Sequence, residues 1–257
     1  MCPPEYFDVR YAINPWMDRA RPVDTARALR QWEILRRTYR DLGHTVDVIP
    51  ALPGLPDMVF AANGGLVIDG RAMSARFAHA ERTAEGPAYL AWMRAAGLDA
   101  AEARHVTEGE GDFLPVGGGG EQGVREQAPQ RRPAVRAERL RVVGDGLLVE
   151  HRERGVEVVE VRVDELERHH PAAEELLGLG VRRGGGAESG AGEHEAADAA
   201  VLGLNAVSDG RHVVLAAQAT GLMGPLRERG FEPVPVDLTE LLKAGGGIKC
   251  CTLELRS

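Results

Sequence analysis

Apolar side chains recur at every second position in Phe7, Val9, Tyr11 and Ile13, which predicts a strand over 6–13 that Asn14-Pro15-Trp16-Met17 turns into a loop. The period then changes. Ala28, Trp32, Leu35 and Tyr39 recur at helical spacing, with Asp24 placed to cap the helix and Gly43 to stop it. A second short run, Thr45 to Pro50, reads as a strand and completes a β-α-β rhythm. Gly64-Gly65 then introduce an apolar strand over Leu66 to Ile68, and Tyr89, Trp92 and Met93 mark the apolar side of a helix that follows Arg82. Near the other end the pattern predicts a strand over His212 to Leu215 and a helix through Leu222 and Leu226 that ends at Gly230. A strand over Phe231 to Val236, a short helix over Leu238 to Lys243 and a last strand over Gly247 to Cys250 complete it. The theme is two strands, one helix, one strand. It recurs without any repeat at the level of sequence, and it makes this an α/β chain.

Between Leu114 and Arg229 the texture differs. Eleven of the twelve aromatic residues precede this stretch and the twelfth, Phe231, follows it, so any core built there is aliphatic and thin. Two glycine-rich runs, 117–120 and 184–192, read as flexible loops or disorder. Between them Arg139 to Val143, Leu147 to His151 and Val156 to Val163 predict short strands, with a turn at Asp145-Gly146. Glu174 to Leu179 predicts a helix after Pro171.

Composition changes this picture little. A length of 257 residues with 44% hydrophobic and 27% charged residues is enough for one domain with a proper core. The net charge of -8 argues against nucleic acid as the main partner and leaves room for a cationic small molecule. The first residues lack the features of a secretory or transit segment, and no apolar run reaches the length of a membrane span. Three cysteines, two of them adjacent, do not make a disulfide framework, so the expected compartment is the reducing cytoplasm.

Four places offer chemistry. Gly245-Gly246-Gly247-Ile248-Lys249-Cys250-Cys251 brings a thiol beside a cation and a pliant backbone, which suits a thiolate nucleophile. A small thiol packed in a core strand explains the same residues. Asp57 and Asn63 bracket an apolar segment where polar side chains either face a cleft or form turns. Asn14 poses the same choice. Arg82 is either a two-pronged carboxylate clamp or a solvated residue at a helix start. Glu108-Gly109-Glu110-Gly111-Asp112 sets three acids among glycines, which suits a bound cation or an acidic surface turn. EF-hand spacing and paired histidines are absent, so no metal is assigned.

Taken in order, Pro56-Asp57-Met58-Val59-Phe60, Asn63, Glu81-Arg82, Glu108 to Asp112, Leu204-Asn205 and Gly246 to Thr252 resemble the pentein superfamily of guanidino-group-modifying enzymes. Tyr11-Ala12-Ile13-Asn14-Pro15-Trp16-Met17 and Asn63 point to its dimethylargininase-like and arginine-dihydrolase branch. The resemblance covers roughly residues 5–115 and 196–256. It implies an α/β propeller of five ββαβ units around a central channel, formed by the whole chain as one catalytic domain. It also implies a cofactor-free hydrolase that cleaves C–N bonds of arginine or an N-methylated arginine through a covalent S-amidino intermediate. On this resemblance Cys250 is the nucleophile, and Glu110 holds the guanidinium and orients a histidine. Asp57, with Asp112 in the same acidic set, binds the guanidinium, Arg82 grips the substrate carboxylate, Asn63 marks the dihydrolase branch and Asn14 closes the pocket. Amidino transfer, and a catalytically dead arginine-binding or remnant protein, are the alternatives. A homo-oligomer is left open.

The middle of the chain departs from the family pattern. The central histidine motif and a second arginine after the acidic loop are missing, and His169-His170-Pro171 reads as a solvated pair beside a helix. The block 116–195 has the Gly, Arg, Ala and Glu bias expected of a G- and C-rich gene read out of frame, which sequencing the gene would test.

Overall fold

This computed structural model of the protein describes residues 1–113 and 198–256, together with three strands between residues 140 and 160. Helix α1 (Thr25–Asp41) begins where Asp24 accepts a hydrogen bond from the Arg27 N–H, a cap worth about 1 kcal/mol. Its buried face is Ala28, Gln31, Trp32, Leu35 and Tyr39, the stripe that the helical period predicts. Gly43, at φ +93°, follows its end.

Two copies of one unit carry the sheets. In the first, β1 (Gly65–Ile68) pairs antiparallel with β2 (Arg71–Ser74), and α2 (Glu85–Ala95) crosses over to β3 (Asp99–Glu102), which is parallel to β2. The second repeats this order. Here β7 (Val207–Ser208) is antiparallel to β8 (His212–Ala216), and α3 (Thr220–Glu228) leads to β9 (Glu232–Val236), parallel to β8. Helix α4 (Thr239–Leu242) follows, and β10 (Leu255–Arg256) joins the free edge of β1 in parallel, giving the order β10-β1-β2-β3. The predicted theme of two strands, one helix and one strand is therefore present twice among the described residues. A third sheet joins β4 (Leu140–Val143), β5 (Gly146–Glu153) and β6 (Val156–Glu160) by antiparallel pairing, where three strands are expected from the sequence. The helix expected over Glu174 to Leu179, His169-His170-Pro171 and the two glycine-rich runs lie outside the described residues.

Two apolar clusters hold this frame. One packs α1 against Phe7, Phe60, Val214, Val236, Leu241, Ile248 and Cys251. The other packs Tyr89 and Met93 of α2 against Met58, Val67, Ala72 and Leu253. Residues 57–62 and 248–253 thus contribute to both clusters, and the backbone between the clusters carries the site.

Three expected strands take another form. Over 6–13 burial alternates as expected, with Phe7 and Val9 inside, but no ladder forms; the segment is held by side chains, Phe7 edge-on to Phe60 at 5.8 Å and the Tyr11 hydroxyl on Asp57 at 2.8 Å. Thr45 to Pro50 makes no ladder either, and its Ile49 N–H donates to the Met1 carbonyl. Gly247 to Cys250 forms a turn. The Cys251 N–H donates to the Gly247 carbonyl at 3.2 Å and the Thr252 N–H to the Lys249 carbonyl at 2.9 Å, so the backbone curls where a strand would run straight. Gly246 makes this possible, since a Cβ there would overlap the Phe60 ring. Among the described residues, no helix is long and apolar enough to cross a membrane.

Candidate active site

The turns at 57–63, 108–112 and 244–250 meet the loop at 13–17 around a cavity of about 200 Å³. Cys250, Asp57, Asn63, Arg82 and Asn14 line it, so five of the seven residues singled out in the sequence converge from four separate segments. Glu108 and His79 line it as well.

Cys250 reaches the wall from the terminal turn and is half-buried, while Cys251, next along the turn, points into the core and is fully buried. The Asn205 side chain binds the Cys250 Sγ at 3.0 Å through its amide nitrogen. Burial holds the Cys251 thiol well above the ordinary range, so that sulfur is a core group and no nucleophile. The turn thus gives the adjacent cysteines different surroundings, one at the cavity and one in the core.

Asp57 is 1% exposed. Its Oδ2 accepts from the Tyr11 hydroxyl at 2.8 Å and lies 3.8 Å from Arg82 Nε, but its Oδ1 is buried and accepts no hydrogen bond among the described residues. Burial and the nearby Glu108 push the Asp57 carboxyl up, against the pull of Arg82 and Tyr11. A buried carboxylate oxygen without a donor costs about 1–3 kcal/mol or more, so it marks a place for a ligand that donates.

Arg82 is buried too, and its guanidinium is largely spoken for. It binds Glu85 with two parallel bonds at 3.2 and 2.8 Å, reaches the Asp57 carbonyl at 3.5 Å and Asn63 Oδ1 at 3.4 Å, and lies over the Phe77 ring at 4.4 Å. Glu85 occupies the Nε/Nη2 edge of the guanidinium, while Nη1 faces Asn63 on the cavity wall. Arg82 thereby links Glu85, Asp57 and Asn63. Asn14 closes the first loop onto the terminal turn: its Nδ2 donates to the Ala244 carbonyl at 3.0 Å and its Oδ1 accepts from the N–H groups of Trp16 and Met17. It is both turn former and lining group.

Sequence comparison gives these residues a context. A curated N(G),N(G)-dimethylarginine dimethylaminohydrolase of Mycobacterium tuberculosis is 45% identical over 263 residues, covering 99% of this chain and 84% of that protein. The chain belongs to the dimethylarginine dimethylaminohydrolase family. The bifunctional arginine dihydrolase/ornithine cyclodeaminase ArgZ of Synechocystis is 31% identical over 99% of this chain and 37% of its own length. The N-terminal domain of ArgZ, solved covalently bound to a reaction intermediate, superposes with a TM-score of 0.69 at 26% identity, covering 100% of this chain and 97% of that one. No family model matches the chain.

The three acids of the loop at 108–112 take different surroundings. Glu110 is buried, but outside the cavity wall. Its carboxylate binds the Lys249 ammonium, accepts from the Glu254 N–H at 3.1 Å and lies 3.6 Å from Arg256 Nη1. Asp112 is exposed and serves its own loop, accepting from the Thr107 hydroxyl at 2.9 Å and the Glu108 N–H at 2.7 Å. Glu108 is the acid of the loop that faces the cavity. The reason is Gly109, at φ +80° and packed so closely on the Ala62-Asn63 backbone that a Cβ would collide with it; this bend turns the acids on its two sides in opposite directions. Lys249 likewise points away from the thiol, to Glu110, to Glu254 at 2.7 Å and to the Thr252 carbonyl at 3.2 Å. The expected pairing of Lys249 with the Cys250 thiol is not seen, and the Asn205 amide contacts the sulfur.

Lys249 joins the acidic loop to the terminal turn from behind. Replacing it with Met strands Glu110 and part of Glu254 without their cation. Lys249 is partly exposed and Arg256 remains nearby, so Lys249→Met should cost about 2 kcal/mol, below the ~3–5 kcal/mol of a fully buried pair. A urea midpoint unchanged from the parent would show that this network is only decorative. Among the described residues, no group of three or more His, Cys, Asp or Glu side chains is placed to hold a metal ion.

Proposed function

We propose that this protein hydrolyses C–N bonds of the guanidino group of a free arginine derivative, with dimethylarginine as the leading substrate, through a covalent intermediate on Cys250. One observation carries the reading: the buried Asp57 Oδ1, which accepts no hydrogen bond among the described residues, shares a cavity with Cys250. A guanidinium answers both needs. Its N–H groups donate to Asp57 and Glu108, its charge is neutralised by those acids, and its carbon is an electrophile for a thiolate. Sγ attacks that carbon, the C–N bond to the leaving amine breaks as its nitrogen takes up a proton, and an S-amidino group remains on Cys250. Water then adds, the C–S bond breaks and the thiolate returns. The proton donor that the family resemblance calls for is a central histidine, and the central candidate, His169-His170, lies outside the described residues. Without such a donor the step would lose about 10²–10⁴-fold in rate.

Asn63 supports a second reading, arginine dihydrolase chemistry, since the amide stands on the cavity wall where the dihydrolase-like branch is expected to carry it. We further infer that the two ββαβ units belong to a five-unit pentein propeller around this cavity, and that a protein reliant on a reduced thiol works in the cytoplasm. Incubating the protein with dimethylarginine and with arginine decides the chemistry. Citrulline with dimethylamine identifies a dimethylargininase, and ornithine with ammonia a dihydrolase. Turnover of neither substrate overturns the proposal.

A further inference from the structure

We propose that Asn205 is a catalytic residue, which stabilises Cys250 as a thiolate and aims its sulfur into the cavity. This rests on the reading of Cys250 as the nucleophile. Asn205 is buried, and its two side-chain ends are told apart by their surroundings. The Lys249 N–H at 2.8 Å and the Cys250 N–H at 3.2 Å both point at one atom, and two donors converging on one atom require it to be the oxygen. The other end is then the NH₂ group, 3.0 Å from Sγ. An amide NH₂ has donors and no acceptor to offer, so at this sulfur it donates. A hydrogen bond to the charged form of an acid favours that form, and a bond to an anion is the stronger kind. The proton released on ionisation passes to solvent in the unliganded protein.

Two independent features show that the chain spends conformational freedom on this contact. Asn205 is set by a turn in which its N–H donates to the Leu202 carbonyl at 2.9 Å, and Leu202 sits at φ +53°, a left-handed conformation that costs a residue with a Cβ. Gly247 supplies the second, since a Cβ there would come within 2.8 Å of the Asn205 oxygen and push the amide off the turn. One side chain therefore fixes both the backbone and the sulfur of the nucleophile.

The test is the pH profile of Cys250 alkylation by iodoacetamide, with Cys250→Ser as the background for the two buried thiols. Asn205→Asp keeps an oxygen for the two backbone N–H groups and replaces the donor at sulfur with an acceptor. Its alkylation midpoint should rise by roughly one pH unit or more, and kcat/KM at neutral pH should fall at least ~10-fold, in a variant that still folds although its buried carboxylate lowers the thermal transition. Asn205→Ala should move the midpoint in the same direction. A midpoint unchanged in folded variants overturns the inference. A second measurement needs no change at position 205: in the parent protein the Asn205 side-chain NH₂ proton resonances should shift with the same midpoint as alkylation, and should stay flat in Cys250→Ser. Resonances flat in both also overturn it. Alkylation needs no substrate, so a shifted midpoint in a protein that turns over no guanidino compound would uphold the role of Asn205 and sink the proposed reaction instead.

Discussion

Cys250→Ser should abolish guanidino hydrolysis, with a loss of at least ~10⁴-fold in kcat, and should leave binding of the substrate intact. Oxygen replaces sulfur at the end of the same short side chain, so the cavity keeps its shape and Asn205 keeps an acceptor. What disappears is the nucleophile, because a serine hydroxyl is a far weaker acid than a thiol and is not ionised near neutral pH without a base beside it. The check is a pair of measurements on one preparation, turnover by product formation and arginine binding by calorimetry. Binding without turnover is the expected pair. Residual turnover within tenfold of the parent would place the chemistry elsewhere. Loss of both with an intact thermal transition would mean that the sulfur is part of the recognition surface only. Cys251→Ser provides the contrast. It puts a hydroxyl into a core position that is closed to solvent, so its effect belongs to stability rather than to turnover.

How much of this was legible in the sequence depends on what each segment had to specify. The helices were readable because the stripe Ala28, Trp32, Leu35, Tyr39 and the pair Tyr89, Met93 state which face is buried, and the core honours both. The short strands β3 and β10 were missed. Asp99–Glu102 and Leu255–Arg256 owe their form to a neighbouring strand and carry no alternation of their own. The terminal turn was misread for the opposite reason. Ile248 and Leu253 are as apolar as a core strand requires, and it takes the bonds from Asn205 and within the turn to bend the chain between them. In the site, Cys250, Asp57, Asn63, Arg82 and Asn14, singled out through the resemblance, line one cavity. That Glu108 lines the cavity while Glu110 lies outside its wall was not legible, because both acids stand before a glycine in Glu-Gly-Glu-Gly-Asp, and the left-handed Gly109 against the Ala62-Asn63 backbone distinguishes them. Asn205 had a place in the motif but no role, since its partner at sulfur is 45 residues away.

Asp57→Asn should weaken catalysis and, in the unliganded protein, leave stability equal or raise it. The two halves of this expectation come from the same carboxylate. With a guanidinium in the cavity, Asp57 is the buried anion that pairs with it, and removing one partner of such a pair costs about 2–5 kcal/mol, or roughly 30- to 4,000-fold in kcat/KM. Without a ligand the same charge is a burden, since one of its oxygens is buried with no donor among the described residues. The pH dependence separates these effects. Burial raises the Asp57 carboxyl above its ordinary value of 3.8, so the folded protein holds that proton to a higher pH than the unfolded chain does. Across the window from 3.8 up to the raised folded value, the unfolded state binds fewer protons than the native one, and stability falls as pH rises. The amide has no such window. The advantage of Asp57→Asn over the parent should therefore be absent at the acid end, grow through the window and remain constant above it, as read from urea midpoints at a series of pH values. Arginine should raise the thermal transition of the parent more than that of the variant, because the guest relieves a charge that the variant lacks. A variant less stable than the parent at neutral pH, with substrate affinity untouched, would mean that Asp57 serves Tyr11 and Arg82 in holding the fold and has no part in receiving a guanidinium.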